Sequence, residues 1–235
     1  MNYKNRVVIV FTSALLVVFI ISCFIVTIPS VSVSSKSDLF MPTVIIDAGH
    51  GGEDGGASTL DNYLEKDINL SISKKLKAFL ISNGFSVKMT RETDKAIYDD
   101  NQSNNKKRSD LQNRVDLFNS SKNNIVISIH QNKFQQEKYS GAQVFYSAND
   151  KKSELLAQCI KNSVVFLTQP ENERQCKQAG SEIFILNNTS VPAVLIECGF
   201  LSNQNEAEKL KDDEYQSKLA YSIYLGFLEF YYRNY

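Results

Sequence analysis

The two histidines of this chain both follow continuous apolar runs. In Val44–Ser58, VIIDAGHGGEDGGAS, an apolar run ends in an aspartate, His50 and a burst of glycines. His130 closes a second run, IVISI, and Glu197 closes a third, AVLI. Ligand sites in parallel sheets gather at the carboxyl ends of the strands. We therefore expect His50, His130 and Glu197 to meet at one edge of a sheet.

Two imidazoles and one carboxylate, with a fourth position open, are a ligand set of hydrolytic zinc sites. Zinc lowers the pKa of its bound water to about 7 and polarises a carbonyl group. A further carboxylate is then needed to take the proton of the water and give it to the leaving group. Glu65 and Glu197 supply two carboxylates, so this residue set predicts metal-assisted hydrolysis. The spacing alone leaves Glu65 open, because the helix dipole also stabilises a carboxylate at the start of a helix.

The glycines after His50 predict a sharp turn that leaves space for a bulky substrate. They do not match a phosphate-binding loop, because GxxxxGK[ST] is absent and Asp54 stands where GxGxxG needs its last glycine. Basic and acidic residues number 26 each, so no basic excess indicates nucleic-acid binding. The four cysteines lack CxxC spacing and predict neither a zinc knuckle nor a disulfide framework.

Alternating apolar runs and helical patterns predict the elements that position these residues. Apolar runs predict strands at Thr43–Asp47, Phe85–Thr90, Ile125–His130, Ala142–Tyr146, Ile183–Leu186 and Val194–Glu197. Helical spacing predicts helices from Leu64 to the Asn83-Gly84 pair and at Ser109–Asn119, Glu154–Leu167 and Asp213–Tyr232. The Asn-rich stretch Asp94–Lys107 predicts a surface loop. Continuous apolar strands separated by helices predict an α/β fold, with one mostly parallel sheet covered by helices on both faces.

The N-terminal segment predicts export from the cytoplasm. Val7–Ile28 is apolar, uncharged and long enough to span a bilayer. Lys4 and Arg6 precede it, so the positive-inside rule places the bulk of the chain beyond the membrane. We expect a cytoplasmic N-terminus at 1–6, a membrane anchor or signal segment at 7–28, a linker at 29–42 and a catalytic domain at 43–235. The length of the run favours an uncleaved anchor, and the alternative is cleavage at the small residues Ser30, Ser32 and Ser34.

Six motifs of this chain resemble the zinc-dependent N-acetylmuramoyl-L-alanine amidases of the Amidase_3 family. They occur in the order of the family and are VIIDAGHGGEDGGA, LEKDINL, VKMTRETD, RSDLQNRVDLFN, ISIHQN and VPAVLIECGFLSN. Together they cover nearly everything from Val44 to the C-terminus, and the full set is highly specific. SGAQVFYS and DDEYQSKLAYSIYLGFLEFY further resemble the spore-cortex subgroup, which is specific to sporulation and germination.

The resemblance implies a six-stranded sheet and one zinc ion per chain on His50, Glu65 and His130. It implies that Glu197 is the general acid and base. The implied reaction is hydrolysis of the peptidoglycan amide between the lactyl group of N-acetylmuramic acid and L-alanine of the stem peptide. In spore cortex this is a step toward muramic-δ-lactam, for which a separate deacetylase is needed. The implied location is outside the cytoplasm, in the space between the membranes around the forespore.

Three more residues in these motifs are candidates for substrate binding: Arg91, Arg114 and Asn132. The two arginines are equally suited to salt bridges that tether a loop, and Asn132 is also suited to orienting His130. Gln131 stands where the family has a small or apolar residue. We expect it to be a surface residue, with a change in the shape of the groove as the alternative.

Other functions stay open from the residues alone. A zinc peptidase acting on stem peptides would use the same metal chemistry and differ only in the bond that it cleaves. A non-catalytic wall-binding protein on an amidase fold is a second alternative, although the four intact site residues argue against it. The need for an activating partner protein also stays open, since a three-ligand site binds zinc weakly if Glu65 must be ordered by a partner.

Overall fold

The computed structural model of the protein describes residues 41–98 and 105–235. The predicted segments 1–6 and 7–28 and most of the predicted linker lie outside the described residues, as does the middle of the predicted loop at 99–104. None of the helices in the described ranges is long and apolar enough to cross a membrane.

Six strands form one sheet. They are β1 (Thr43–Ala48), β2 (Ser86–Met89), β3 (Asn124–Asn132), β4 (Gln143–Tyr146), β5 (Lys177–Gln178) and β6 (Ala193–Phe200). Their order is β2-β1-β3-β6-β4-β5, and the first four are parallel neighbours. β4 runs antiparallel to β6, and β5 pairs parallel to β4. The predicted α/β domain with a mostly parallel sheet is confirmed.

Helices cover both faces of this sheet. They are α1 (Glu65–Ser82), α2 (Lys106–Phe118), α3 (Lys152–Leu167), α4 (Phe184–Asn187), α5 (Gln204–Lys211) and α6 (Asp213–Asn234). Val44 and Ile46 of β1 belong to the hydrophobic core that contains α1, α3 and α6. Ile45 belongs to the opposite core, with α2 and α4. Because both faces of β1 are buried, the strand is a continuous apolar run rather than an alternating one.

The predicted strand at Ile183–Leu186 is wrong, because its last residues form the short helix α4. A run of four apolar residues does not distinguish a buried strand from a buried helical turn. Leu186 is fully buried in the core with α2. The side-chain amide of Asn187 donates to the carbonyl of Ile183 at 3.0 Å, so local hydrogen bonds replace those of a strand ladder.

The helix α5 was not predicted from the sequence. Its signal is the pair Asn203 and Glu206, since the Asn203 side chain accepts from the Glu206 N–H at 3.1 Å and caps the helix. The Glu206 carboxylate instead accepts from the N–H groups of Phe200 at 2.8 Å and Gly141 at 2.9 Å. It thereby joins the end of β6 to the loop that enters β4.

The carboxyl ends of β1, β3 and β6 meet at one edge of the sheet, which we call the carboxyl edge. Ala48 of β1 pairs with Ile129 of β3, and His130 of β3 pairs with Glu197 of β6. The segment that carries His50 leaves β1 at the same level. The structure thus brings both histidines and Glu197 to one edge, as their positions at the ends of apolar runs predict.

A buried ion pair ties α2 to the end of β1. Arg114 of α2 pairs with the carboxylate of Asp47, which also accepts from Ser128 Oγ at 2.6 Å. Asp47 is fully buried, and burial opposes its ionisation, but the adjacent Arg114 holds the pKa of Asp47 below its ordinary value. A second carboxylate, that of Asp110, accepts from Arg114 Nε at 2.7 Å.

We expect Arg114→Met to lower the free energy of unfolding by about 3–5 kcal/mol, because it leaves the Asp47 charge buried without its partner. Urea denaturation at neutral pH measures the difference. Arg233→Met is the matched control, since Arg233 is an exposed arginine beside Glu229 on α6. Its loss should cost less than about 1 kcal/mol. Equal losses in the two variants would contradict a structural role for the buried pair.

Candidate active site

The structure brings His50, Glu65 and His130 into one cluster, which we call the ligand cluster. One ligand atom from each residue lies within 4.8 Å of the other two. Nε2 of His50 is 3.3 Å from Glu65 Oε2, and Nδ1 of His130 is 3.1 Å from Glu65 Oε1. The three residues come from the loop after β1, the first turn of α1 and the end of β3. Two nitrogens and a carboxylate at this spacing are able to hold a metal ion.

The glycines around His50 make room for the ligand cluster itself. A side chain at Gly49 would overlap the imidazole ring of His130. Gly56 has a φ of 67°, and a Cβ there would lie 2.7 Å from Cδ2 of His50 and collide with the Glu65 carboxylate. The glycine-rich segment is therefore needed for the close approach of the ligands. The expected space for a bulky substrate is not what these two positions provide.

Strained backbone at His50 is held in place by two arginines. His50 has a φ of 60°, in the left-handed region that residues other than glycine rarely adopt. Arg114 Nη2 donates to the His50 carbonyl at 2.9 Å, and Arg91 Nη2 donates to the Gly49 carbonyl at 2.9 Å. Both guanidinium groups also donate to the Ala48 carbonyl, each at 3.0 Å. Strain of this kind persists where surrounding contacts over-determine the conformation.

The predicted substrate-binding residues are placed differently from one another. Arg91 and Arg114 are 5% and 3% exposed, and both donate hydrogen bonds to backbone carbonyls, as in the tethering alternative. Asn132 is half-buried at the end of β3, and the partner that the structure shows for the His130 ring is Glu65. Substrate binding by these three residues stays a prediction.

A second layer of polar groups orients the ligand cluster. Asp54 Oδ2 lies 2.9 Å from His50 Nδ1, which directs the other ring nitrogen toward Glu65. The Glu65 carboxylate accepts from the N–H groups of Ala57 at 2.8 Å and Gln131 at 3.0 Å, and from Asn69 Nδ2 at 3.1 Å. Such partners fix the direction of metal ligands and tune their basicity.

Sequence reasoning missed this layer, although a signal for part of it exists. Asn69 follows Glu65 by one helical turn, which places the two side chains on the same face of α1. The expected surface role for Gln131 is wrong, since this residue is 3% exposed and its Nε2 donates to Asn69 Oδ1 at 3.1 Å. Gln131 alternates with its ligand neighbour in β3 and so points into the core beneath α1.

The charges of the cluster favour a bound cation. Burial opposes ionisation of Glu65, but hydrogen bonds from His130 and His50 hold its pKa well below its ordinary value. Burial also opposes protonation of His50, yet the Glu65 and Asp54 carboxylates raise the pKa of His50 to about 9. An ionised carboxylate between two imidazoles is an arrangement that either protons or a divalent cation must neutralise.

Glu197 completes the site from β6. Its Oε2 is buried and has no hydrogen-bond partner among the described residues. Burial raises the pKa of Glu197 to about 7. Buried carboxylate oxygens in folded proteins are almost always partnered, so an orphaned one calls for an external partner such as water. A carboxyl group with a pKa near neutrality is suited to taking up a proton and releasing it again.

A cleft of about 260 Å³ opens beside the ligand cluster and gives access to both imidazoles. Apart from the site residues, its walls include the side chains of Ala96, Tyr98, Lys106, Leu111 and Ile185. The cleft lies on the β1 side of the carboxyl edge, between that edge and α2.

Comparison with known proteins finds a matching family and similar proteins. The sequence pattern of the Amidase_3 family, described as N-acetylmuramoyl-L-alanine amidase, matches residues 44–229. A germination-specific N-acetylmuramoyl-L-alanine amidase of Bacillus subtilis (strain 168) is 37% identical over 190 residues, which are 80% of this chain and 79% of the relative.

Solved structures show the same fold. One is the CwlD amidase of Clostridioides difficile, solved in complex with the GerS lipoprotein. It matches this protein with a TM-score of 0.78 and 40% identity, and the match covers 82% of this chain and 100% of the CwlD chain. An N-acetylmuramoyl-L-alanine amidase from Clostridium difficile 630 has a TM-score of 0.72 and 30% identity, over 83% of this chain and 98% of that one.

These matches confirm the family that the six motifs resemble. They extend over nearly all of the described residues and include the loop, helix and strands that carry the site. The chain therefore belongs to the Amidase_3 family and is a peptidoglycan-hydrolysing enzyme, an N-acetylmuramoyl-L-alanine amidase.

Proposed function

We propose that the enzyme uses one zinc ion, held by His50, Glu65 and His130, and that Glu197 is its general acid and base. The observation that carries the proposal is the ligand cluster with an unpartnered, buried carboxylate oxygen beside it. Two imidazole nitrogens and one carboxylate suit zinc, whereas magnesium and calcium prefer oxygen ligands. When bound, zinc would polarise the scissile carbonyl and make an attacking water more acidic.

The protein residues would then move one proton in two steps. Glu197 takes a proton from the water as the water oxygen attacks the carbonyl carbon of the lactyl group. Glu197 returns this proton to the nitrogen of L-alanine as the carbon–nitrogen bond breaks. The products are a muramoyl carboxylate and a free stem peptide. Asp54 and Asn69 keep the ligand atoms aligned, while Arg91 and Arg114 hold the loop that carries His50.

The proposed setting is the spore cortex, outside the cytoplasm. The name of the Bacillus subtilis relative, a germination-specific amidase, supports this setting. Cleavage there would prepare muramic acid for lactam formation, with a separate deacetylase acting on the same sugar. We also propose that residues 7–28 export or anchor the chain and that 29–42 link this segment to the catalytic domain at 43–235. The complex of the related CwlD amidase with a lipoprotein supports a partner protein for this enzyme as well.

The cleaved bond is tested by mass analysis of digested peptidoglycan. Release of complete stem peptides, leaving unsubstituted muramic acid, is the expected result. Shortened peptides still attached to muramic acid would mean that the enzyme is a peptidase, and an undigested wall that keeps the protein bound would mean a wall-binding protein.

We expect the purified protein to contain about one zinc ion per chain and Glu65→Ala to lose it, because the central ligand is removed. Metal content is measured by atomic emission after exhaustive dialysis. Glu208→Ala, at an exposed glutamate of α5, is the control and should retain the metal. A Glu65→Ala variant that keeps one zinc per chain would exclude Glu65 as a ligand.

Glu197→Gln should bind zinc normally but lose roughly 10²-fold to 10⁴-fold in kcat, because an amide cannot shuttle the proton. Turnover of N-acetylmuramoyl-peptides is measured with the zinc content of each sample. Near-normal turnover in a zinc-loaded variant would show that another group is the acid and base.

Asp54→Ala and Asn69→Ala should each weaken zinc binding by about 10-fold to 100-fold, because the ligands lose their orienting partners. Competition with a chromogenic chelator gives the zinc affinity without measuring activity. The control is Asp116→Ala, at an exposed aspartate on α2 that bonds to Gln112. Affinities equal to that of the control would rule out an orienting role.

A further inference from the structure

A second cleft, of about 750 Å³, opens on the β4 side of the carboxyl edge. Its walls come from the loop that enters β4, from the segment after α3 and from the beginning of α5. Phe200, at the end of β6, lies just behind it. Glu197 pairs with His130 and Phe200 pairs with Asn132, across a register shift in β6. Phe200 therefore lies about two strand positions beyond Glu197, which is about 7 Å at roughly 3.3 Å per residue.

The guanidinium group of Arg174 is fixed in the wall of this second cleft. Its Cζ lies 4.7 Å from the centroid of the Phe200 ring and 6.0 Å from that of Tyr139. Its Nε donates to the carbonyl of Ser140 at 2.8 Å. In the part of the chain that the structure describes, neither terminal nitrogen of Arg174 has a hydrogen-bond partner or an ion pair. The guanidinium group is thus held in place, and its two terminal nitrogens can still donate hydrogen bonds to a ligand.

The other charged residues of the second cleft leave the terminal nitrogens of Arg174 available to a ligand. The carboxylate of Glu206, an acid of the same cleft, already accepts from the N–H groups of Phe200 and Gly141. The remaining charged residues of the cleft are Lys138, Lys209, Glu171 and Glu173, all of them exposed. Three cations and three acids do not suit a polyanion. They suit a peptide that carries both carboxylates and an amine.

A planar guanidinium group without other partners is well matched to a carboxylate, which it binds through two parallel hydrogen bonds. The stem peptide of peptidoglycan continues from L-alanine through residues that carry free carboxylates. An extended chain covers about 7 Å in two residues. A stem peptide leaving the bond next to Glu197 therefore reaches the second cleft with the residues just after L-alanine.

We propose that the second cleft binds the stem peptide and that Arg174 binds one of its carboxylates. This inference rests on the proposed function, because it takes the cleaved amide to lie beside Glu197. The strand order supports the assignment: the first cleft lies on the β1 side of the ligand cluster, and the second lies on the β4 side. The two arms of the substrate, sugar and peptide, have to leave the scissile bond in different directions.

The test compares wild type, Arg174→Met and Arg174→Lys on N-acetylmuramoyl-tetrapeptides with free carboxylates or with amidated ones. On the free substrate, Arg174→Met should raise KM roughly 10-fold to 100-fold with little change in kcat, because a charge-assisted hydrogen bond is lost. Wild type should show a similar rise on the amidated substrate. Arg174→Met should not distinguish the two substrates, and Arg174→Lys should fall between.

Arg233→Met is again the control variant, and thermal unfolding checks that each variant is folded. Calorimetric binding of the free tetrapeptide gives a readout that needs no cleavage. Equal tetrapeptide affinity in wild type and Arg174→Met, or equal preference for the free substrate, overturns the proposal while the amidase reaction stands. Arg174-dependent binding of the tetrapeptide by a protein that does not cleave the lactyl amide would support the cleft and reject the proposed function.

Discussion

Two buried guanidinium groups hold three consecutive carbonyl oxygens, and the geometry of the ligand cluster depends on them. β1 ends at Ala48, so the backbone beyond it has no full set of ladder partners. Arg91 and Arg114 donate to the carbonyls of Ala48, Gly49 and His50 in its place. Leaving such buried groups unpaired would cost about 1–3 kcal/mol each. Asp47 of β1 neutralises the charge of Arg114. The strand thus supplies the counterion of one of the two guanidinium groups that hold its end.

The residues around the ligand cluster are held in place in different ways. His130 and Glu197 sit on paired strands, and the register of the sheet places them opposite each other. His50 sits on a loop in an unfavourable conformation and needs separate anchoring. Glu65 connects the loop of His50 to the strand of His130, because its carboxylate reaches both imidazoles and two backbone N–H groups. Its place in the first turn of α1 also favours the anion, so the helix-terminus interpretation and the ligand interpretation are compatible.

Sequence patterns predicted most of the fold because strands buried on both faces and amphipathic helices leave strong signals. They failed at Ile183–Leu186, where the run was too short to carry a period, and at α5, where the only signal was a capping pair. For the candidate site, the ends of apolar runs predicted that His50, His130 and Glu197 lie at one edge of the sheet, which the structure confirms. The family resemblance added Glu65, which lies between the two imidazoles, and its role as a ligand stays a proposal. Asp54, Asn69, Gln131 and Arg174 were not identified. Gln131 and Arg174 make their contacts with distant segments, which no local pattern records. Asp54 and Asn69 lie only four residues from the side chains that they contact, so for them the spacing was a signal that the sequence reasoning did not use.

The reversal of β4 has a consequence for how this enzyme can diverge. In an all-parallel sheet, the loop that enters a strand lies at the edge away from the site. Because β4 is antiparallel to β6, the connection from β3 into β4 crosses the carboxyl edge. Residues 133–141 therefore border the site while supplying none of the proposed ligands. None of the residues of this loop takes part in the pairing of His130 with Glu197. Under the proposed roles, substrate preference and catalytic chemistry would be encoded in separate stretches of one chain.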